Sequence, residues 1–290
     1  MNIPVSRTLV RSIVILFINV TVVFPVSVMG QSRLYKAVES DSESRVKRLL
    51  KKGENPNGDG DPRNIPLLVA AEKNLYHMVQ LLVENKANIN IQNHIGFTPL
   101  MEATIQRNNR IMIYLLRNDA NLEIKANNGA TALMVAVNAD NIRGARLLLE
   151  ENANPNVFDN KGNTPLMKTI RLGKNPDMVE LLVEYGADLN AKSSDGTPVL
   201  MAYTYRERIA VYEKLIAHDA DLNITNAEGQ TPLIKAVLEG NLEMVKILMD
   251  NGANPHIKDD FDASAIDYSK TQFNIKQYFD SLPKEESRNH

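Results

Sequence analysis

Apolar positions return along this chain with a fixed period. Leucine or isoleucine stands at Leu34, Leu67, Leu100, Leu133, Leu166, Leu200, Leu233 and Ile266, in steps of 33 residues except for 34 between Leu166 and Leu200. Three residues on come Ala37, Ala70, Ala103, Ala136, Thr169, Tyr203, Ala236 and Ser269. The stretch Glu228–Asp260 shows the pattern most plainly. Leu233, Ala236 and Val237 fall on one helical face. Thr231 can accept from free N–H groups at a helix start, and Pro232 suits a first turn. Gly240-Asn241 interrupts, Leu242–Met249 is a second amphipathic run, and Gly252 suits the left-handed residue that closes a helix. Ala253–Asp260 is a polar exit. The pattern predicts helix, turn, helix and long turn, with no sheet core. One such unit cannot bury its apolar faces alone and needs copies stacked beside it.

A second marker keeps the same period: Ala87-Asn88-Ile89-Asn90, Ala120-Asn121, Ala153-Asn154-Pro155-Asn156, Ala187-Asp188-Leu189-Asn190, Ala220-Asp221-Leu222-Asn223 and Ala253-Asn254-Pro255. The run G-x-T-P-L with its following alanine, and the later N-G-A-N, resemble the ankyrin repeat over nearly everything after residue 30. The resemblance implies an all-α ankyrin repeat solenoid, with helix-turn-helix units stacked into one curved array. Residues 31–283 then hold about eight units, the first and last acting as caps, and 284–290 form a polar tail. One departure is systematic. Where the family usually has histidine after T-P-L, this chain has Leu68, Met101, Met134, Met167, Met201 and Ile234. An apolar, adaptable seam is expected there.

Individual copies depart from the consensus. The first lacks T-P and carries charge on its exposed side, as a terminal cap requires. The second has Ile65 in place of the capping threonine. The fifth gains one residue near Lys174-Asn175-Pro176. In the sixth, DGTPVLMAYTYRERIAVY, T-P is displaced by one and Tyr203 replaces a small residue. This copy is expected to be the least regular. Drift with local repacking and a binding site that needs aromatics are both open readings.

Apolar content of 43% is enough for a folded chain. The first 30 residues hold Arg7 and Arg11 and no acid. Taking these two from 33 Lys and Arg leaves 31 bases against 35 acids, which gives no footprint for nucleic acid. No cysteine is present, so disulfides and thiolate chemistry are excluded. Arg7 and Arg11 precede an apolar run, Ile13–Val23, which Pro25 ends. This layout predicts a signal peptide over 1–30, cut between Gly30 and Gln31. The protein is then exported, periplasmic or secreted. The rival is an uncleaved anchor, because Ser12–Ser32 carries no charge and is long enough to span a bilayer.

Catalytic and metal constellations are missing from the sequence. The histidines, His77, His94, His218, His256 and His290, are scattered over separate copies. Asp59 and Asp61, and Asp259, Asp260 and Asp262, lack the ligand ladder of a calcium loop. No nucleophile elbow or phosphate-cradling loop occurs. Asn223-Ile224-Thr225 fits a glycosylation acceptor, but Asn223 is also the recurring loop asparagine. No cofactor is expected, and no enzymatic activity. What the resemblance implies is an unidentified protein partner bound on a concave face by a monomer. The membrane enters only if the N-terminal segment stays uncleaved. The family's contact positions map here to, among others, Phe97, Phe158, Arg171, Tyr205 and Arg206. Aromatic and arginine side chains supply most interface hot spots, so these five are the expected partner-binding residues. They are expected on the surface.

Overall fold

A computed structural model describes residues 31–171, 176–201 and 209–283, with the side chains of Ile170 and Arg171 excepted. The expected signal segment with Gly30, the 284–290 tail, and Tyr203, Tyr205 and Arg206 lie outside the described residues. Gln31, the first described residue, is exposed. The chain divides into two compact units, one ending at Ala87 and one starting at Asn88.

The first unit holds two repeats. Helices α1 (Arg33–Glu39) and α2 (Glu43–Lys51) form one pair, and α3 (Pro66–Glu72) and α4 (Tyr76–Glu84) the next. Ser32 caps α1 by accepting from Tyr35 N at 3.0 Å. Ile65 begins α3 with no side-chain cap, as its apolar chain dictates. Leu34, Ala37 and Val38 of α1 are buried, as are Leu67 and Ala70 of α3, and the two helices pack together.

The second unit holds six repeats. Its pairs are α5 (Pro99–Ile105) with α6 (Asn109–Arg117), α7 (Ala132–Asn138) with α8 (Ile142–Glu150), and α9 (Pro165–Arg171) with α10 (Pro176–Glu184). A 3-10 turn (Val199–Met201) precedes α11 (Ile209–Ala217). Then come α12 (Pro232–Leu238) with α13 (Leu242–Asp250), and α14 (Ala265–Ser269) with α15 (Phe273–Ser281). First helices pack on their neighbours in the stack, and among second helices α6 packs on α8, α8 on α10, α10 on α11 and α13 on α15. Among the described residues there is no strand, only isolated antiparallel bridges at Lys192–Pro198 and Lys258–Ser264.

The caps follow the residues. Thr98, Thr131, Thr164 and Thr231 accept from the N–H three residues on, at 3.2–3.5 Å. Ser264 and Asp267 form a reciprocal capping box. Asn108, Asn141 and Asn241 cap second helices. The anchors Leu100, Leu133, Leu166, Leu200 and Leu233 are buried, whereas the eighth, Ile266, is half-buried, as suits a closing repeat. Met101, Met134, Met167, Met201 and Ile234 are all buried, so the expected apolar seam is present in this unit.

The sixth repeat breaks the rule for a local reason. Its turn closes by Ser193 N donating to Thr197 O, as Asn93 N does to Phe97 O and Ala126 N to Ala130 O. A turn of constant length leaves Pro198, not Thr197, at the cap position. Proline offers no side-chain acceptor, and among the described residues a 3-10 turn, Val199–Met201, follows. The extra residue of the fifth repeat falls between α9 and α10, which starts ten residues after Leu166 rather than nine as α6 does after Leu100.

Candidate partner-binding face

In the second unit, the turn tips ahead of each first helix are laced together. Asn127 N and Nδ2 donate to Ile95 O (3.1 Å) and His94 O (3.0 Å). Asn160 N and Nδ2 repeat this on Asn128 O (3.1 Å) and Asn127 O (2.8 Å). Ser194 Oγ donates to Lys161 O at 2.7 Å. Tips this close leave no room for side chains at Gly129 and Gly162. A Cβ there would sit 2.5 and 2.3 Å from the next tip's N, and both residues have positive φ. Ala227 stands at the position of Asn127, Asn160 and Ser194 and has no side-chain donor. From the third to the sixth repeat the tips therefore form a firm row whose outward side chains are placed by backbone.

A lower row is laced in the same way. Asn90, Glu123, Asn156, Asn190 and Asn223 each accept, through a side-chain oxygen, from a backbone N–H of the next repeat. Asn223 Oδ1 is 2.8 Å from Asn254 N, so the loop role accounts for this asparagine. The acid clusters are likewise turn closers. Asp259 Oδ1 accepts from Phe261 N and Ala263 N, and its Oδ2 from Tyr268 Oη. Asp61 accepts from Arg63. No group of three His, Cys, Asp or Glu among the described residues could hold a metal ion.

The predicted contact residues separate. Phe158 is 44% exposed at the fifth tip, where its carbonyl accepts from Lys125 Nζ at 2.8 Å. Lys161 and Lys192 are exposed on the same row. Phe97 corrects the expectation of a surface position, because it is only 7% exposed. The cause is the turn: Asn93 Oδ1 accepts from Phe97 N at 2.8 Å while Asn93 N donates back to Phe97 O, folding the residue before the threonine inward. Ala130, Asn163 and Gln230 hold the equivalent positions and are also buried. Arg171 ends α9, but its side chain lies outside the described residues, as do Tyr205 and Arg206 entirely.

Behind Phe158, Lys168 Nζ meets Asp159 Oδ2 at 2.7 Å, with both side chains largely covered. Burial opposes ionisation of Asp159, but the bonds from Lys168 and from the N–H groups of Asn163 and Lys161 outweigh it and hold the carboxyl below its ordinary value. A carboxyl depressed in the folded state stabilises the fold above the unfolded-chain value near ~3.9, and that contribution is lost as pH falls through the folded value. The pair fixes the fifth tip on its own first helix.

Three further apolar side chains stand out on this unit, among them Phe273, 79% exposed at the start of α15. Leu238, 41% exposed at the end of α12, shares the register of Ile105, Asn138 and Arg171. Phe261, 72% exposed, shares that of Ile95, Asn128, Lys161 and Glu228. The sequence pattern singled out neither Leu238 nor Phe261, only the acids around the latter. Counting 33 back from Phe261 to a tip residue would have found it.

The sequence model described as ankyrin repeats (3 copies) matches this chain at residues 34–126, 100–193 and 174–259. The chain belongs to the ankyrin repeat family, whose members are generally non-catalytic protein–protein interaction modules. Among solved structures it is similar to the ankyrin repeat domain of Bcl-3, a member of the IκB protein family. The two share 24% identity and a TM-score of 0.57, over 86% of this chain and 99% of that one. That likeness concerns the fold. No curated protein matches the chain.

Proposed function

We propose that the second compact unit binds a protein partner through the turn tips and first helices of the chain's third to sixth repeats, the face that is concave in the family, and that Phe158 anchors the contact. One observation carries this. The positions in register with Phe158 are Gln92, Lys125, Lys192, Thr225 and Lys258, all polar. The fold therefore does not require an aromatic there, yet one is held exposed on a row fixed by backbone hydrogen bonds. Exposed aromatics on rigid elements lose little entropy on binding and make good anchors. Arg171, Tyr205 and Arg206 join it by register. Phe97 does not, because it is buried. Once cross-linking in the native host has identified a partner, Phe158→Ala should weaken binding by roughly 2 kcal/mol. It should shift stability by no more than ~0.5 kcal/mol. Unchanged affinity would remove Phe158 from the interface.

The place of action we propose is outside the cytoplasm, with the mature chain starting at Gln31. The layout of Arg7, Arg11 and the apolar run supports it. A second reading, a membrane-tethered scaffold, has its own support. Arg33, Lys36, Arg45, Lys47, Arg48, Lys51 and Lys52 crowd the 20 residues after the uncharged run. Bases so close to a spanning segment hold that side in the cytoplasm. No described helix is long and apolar enough to cross a membrane, so a tether falls to the N-terminal segment. The intact mass of the native protein decides. A chain lacking residues 1–30 supports export, and a chain retaining them in the membrane fraction supports the tether.

A further inference from the structure

The outer face of α2 carries a charge pattern that the repeat fold does not use. Val46 and Leu49 turn inward and are buried, while Arg45, Arg48, Lys51 and Lys52 are exposed. Residues 45, 48 and 52 stand at i, i+3 and i+7, a single helical stripe with Lys51 beside it. None of these four side chains pairs with an acid among the described residues. The nearby acids are engaged elsewhere: Glu43 with Lys47 at 2.5 Å, Glu54 with Arg33 at 3.0 Å, Asp41 with His77 at 3.1 Å, and Glu39 with Lys73 at 3.8 Å. The first repeat thus engages its own acids elsewhere and leaves four cations without an acid partner on one face. A cap needs a polar outer surface, but mixed charge would serve that need equally well.

The second observation is where the stripe falls in the chain. The uncharged stretch Ser12–Ser32 runs directly into α1, since Ser32 is the residue that caps it. Basic clusters just beyond an apolar, membrane-directed segment are attracted to anionic lipid. We propose that the α2 face lies on anionic phospholipid headgroups, placing the first compact unit at a membrane surface. The charges need no apolar insertion, and α2 offers none, because its apolar side is committed to the repeat. Where residues 1–30 are retained, the segment and the stripe act together. Where they are removed, the stripe alone gives weak, salt-sensitive attachment. An acidic protein is the other surface that could complement four cations. The uncharged segment beside the stripe favours lipid.

The chain has no cysteine, so one introduced thiol gives a clean label. A fluorophore on Ser44→Cys, an exposed position on α2, is placed in the full chain. The chain is mixed with vesicles of phosphatidylcholine alone or with phosphatidylglycerol added, each containing a headgroup quencher. Flotation reads whether the chain is on the vesicle at all, and quenching reads whether α2 touches it. The expected result is quenching with phosphatidylglycerol that fades in phosphatidylcholine and at high salt. Its binding share should fall about five-fold for each of Arg45→Gln, Arg48→Gln, Lys51→Gln and Lys52→Gln. These are surface changes, and an unchanged thermal melt confirms that each variant folds. Flotation with both lipids but no lipid-dependent quenching overturns headgroup docking and leaves the tether reading intact. Flotation with neither overturns both. Flotation only with phosphatidylglycerol, lost in the four variants together, supports docking and removes the tether. Capture of an acidic protein through the same four residues, with no response to anionic vesicles, also overturns the proposal.

Discussion

The fourth and sixth repeats have the same 33-residue plan and a leucine anchor buried in the same place, yet they begin their first helices differently. In the fourth, Thr131 Oγ1 accepts from Met134 N, and α7 runs for seven residues. Asn141 then caps α8 through Oδ1 and reaches back through Nδ2 to Thr104 O at 2.9 Å. Gly144 allows this, because a Cβ there would lie 2.4 Å from Asn141 Nδ2. In the sixth, the turn has the same length but the threonine arrives one residue early, so Pro198 takes the cap position. The start is a 3-10 turn, and its Leu200 carbonyl is held by the hydroxyl of the buried Tyr212. Stacking tolerates a lost cap when the anchor is kept. What changes is which interactions hold the helix start.

The largest test is truncation of the two anchors. Leu133→Ala should cost about 4 kcal/mol, because a capped helix fixed on both sides cannot collapse into the cavity. Leu200→Ala should cost nearer ~2 kcal/mol, since the 3-10 start can relax. Chemical denaturation of both variants measures this, and equal losses would mean the sixth repeat is as rigid as the fourth. Asn141→Ala comes next, at about 2 kcal/mol, because it removes a cap and leaves the buried Thr104 carbonyl without that donor.

Much of this contrast could be read from residues. The 33-residue series, the threonine caps, the left-handed Gly252, and the apolar seam at Met101 and Met134 are local signals, and local signals survive without coordinates. The displaced T-P was visible too. Its consequence was not, because only the constant turn closed by Ser193 and Thr197 shows that proline lands on the cap. The candidate face was half legible. Phe158 follows from its register, whereas Phe97 was misplaced. Its burial depends on Asn93 bonding both ways across the turn, a geometry that spacing alone does not carry. Phe261 was hidden by the acids around it.

Tyr212→Phe sharpens the comparison at a middling size. The ring stays buried and its bond to Leu200 O is lost, leaving a covered carbonyl short of a donor. The expected loss is about 1–2 kcal/mol. Native-state hydrogen exchange should show Val199–Met201 opening sooner in this variant, while Val135–Val137 of the fourth repeat keeps its protection. A variant as stable as the parent would mean that the hydroxyl bond is not what holds the sixth start.

The smallest effect asks whether the missing cap can be restored. Pro198→Ser puts a hydroxyl acceptor where Thr131 stands in the fourth repeat, and a good N-cap contributes about 1 kcal/mol. Against this, proline restricts the unfolded chain, and losing it costs roughly 0.5 kcal/mol. The net expectation is therefore a gain of about 0.5 kcal/mol. The sign is the informative part. A gain with slower exchange at Leu200 and Met201 shows that the sixth repeat starts as a 3-10 turn only because its cap is absent. A loss shows that Pro198 holds the turn itself, through its pairing with Lys192 and the Val199 N bond to Ala191 O at 3.1 Å. In that case the irregular start is built into the turn, and the two repeats differ in design rather than by one displaced residue.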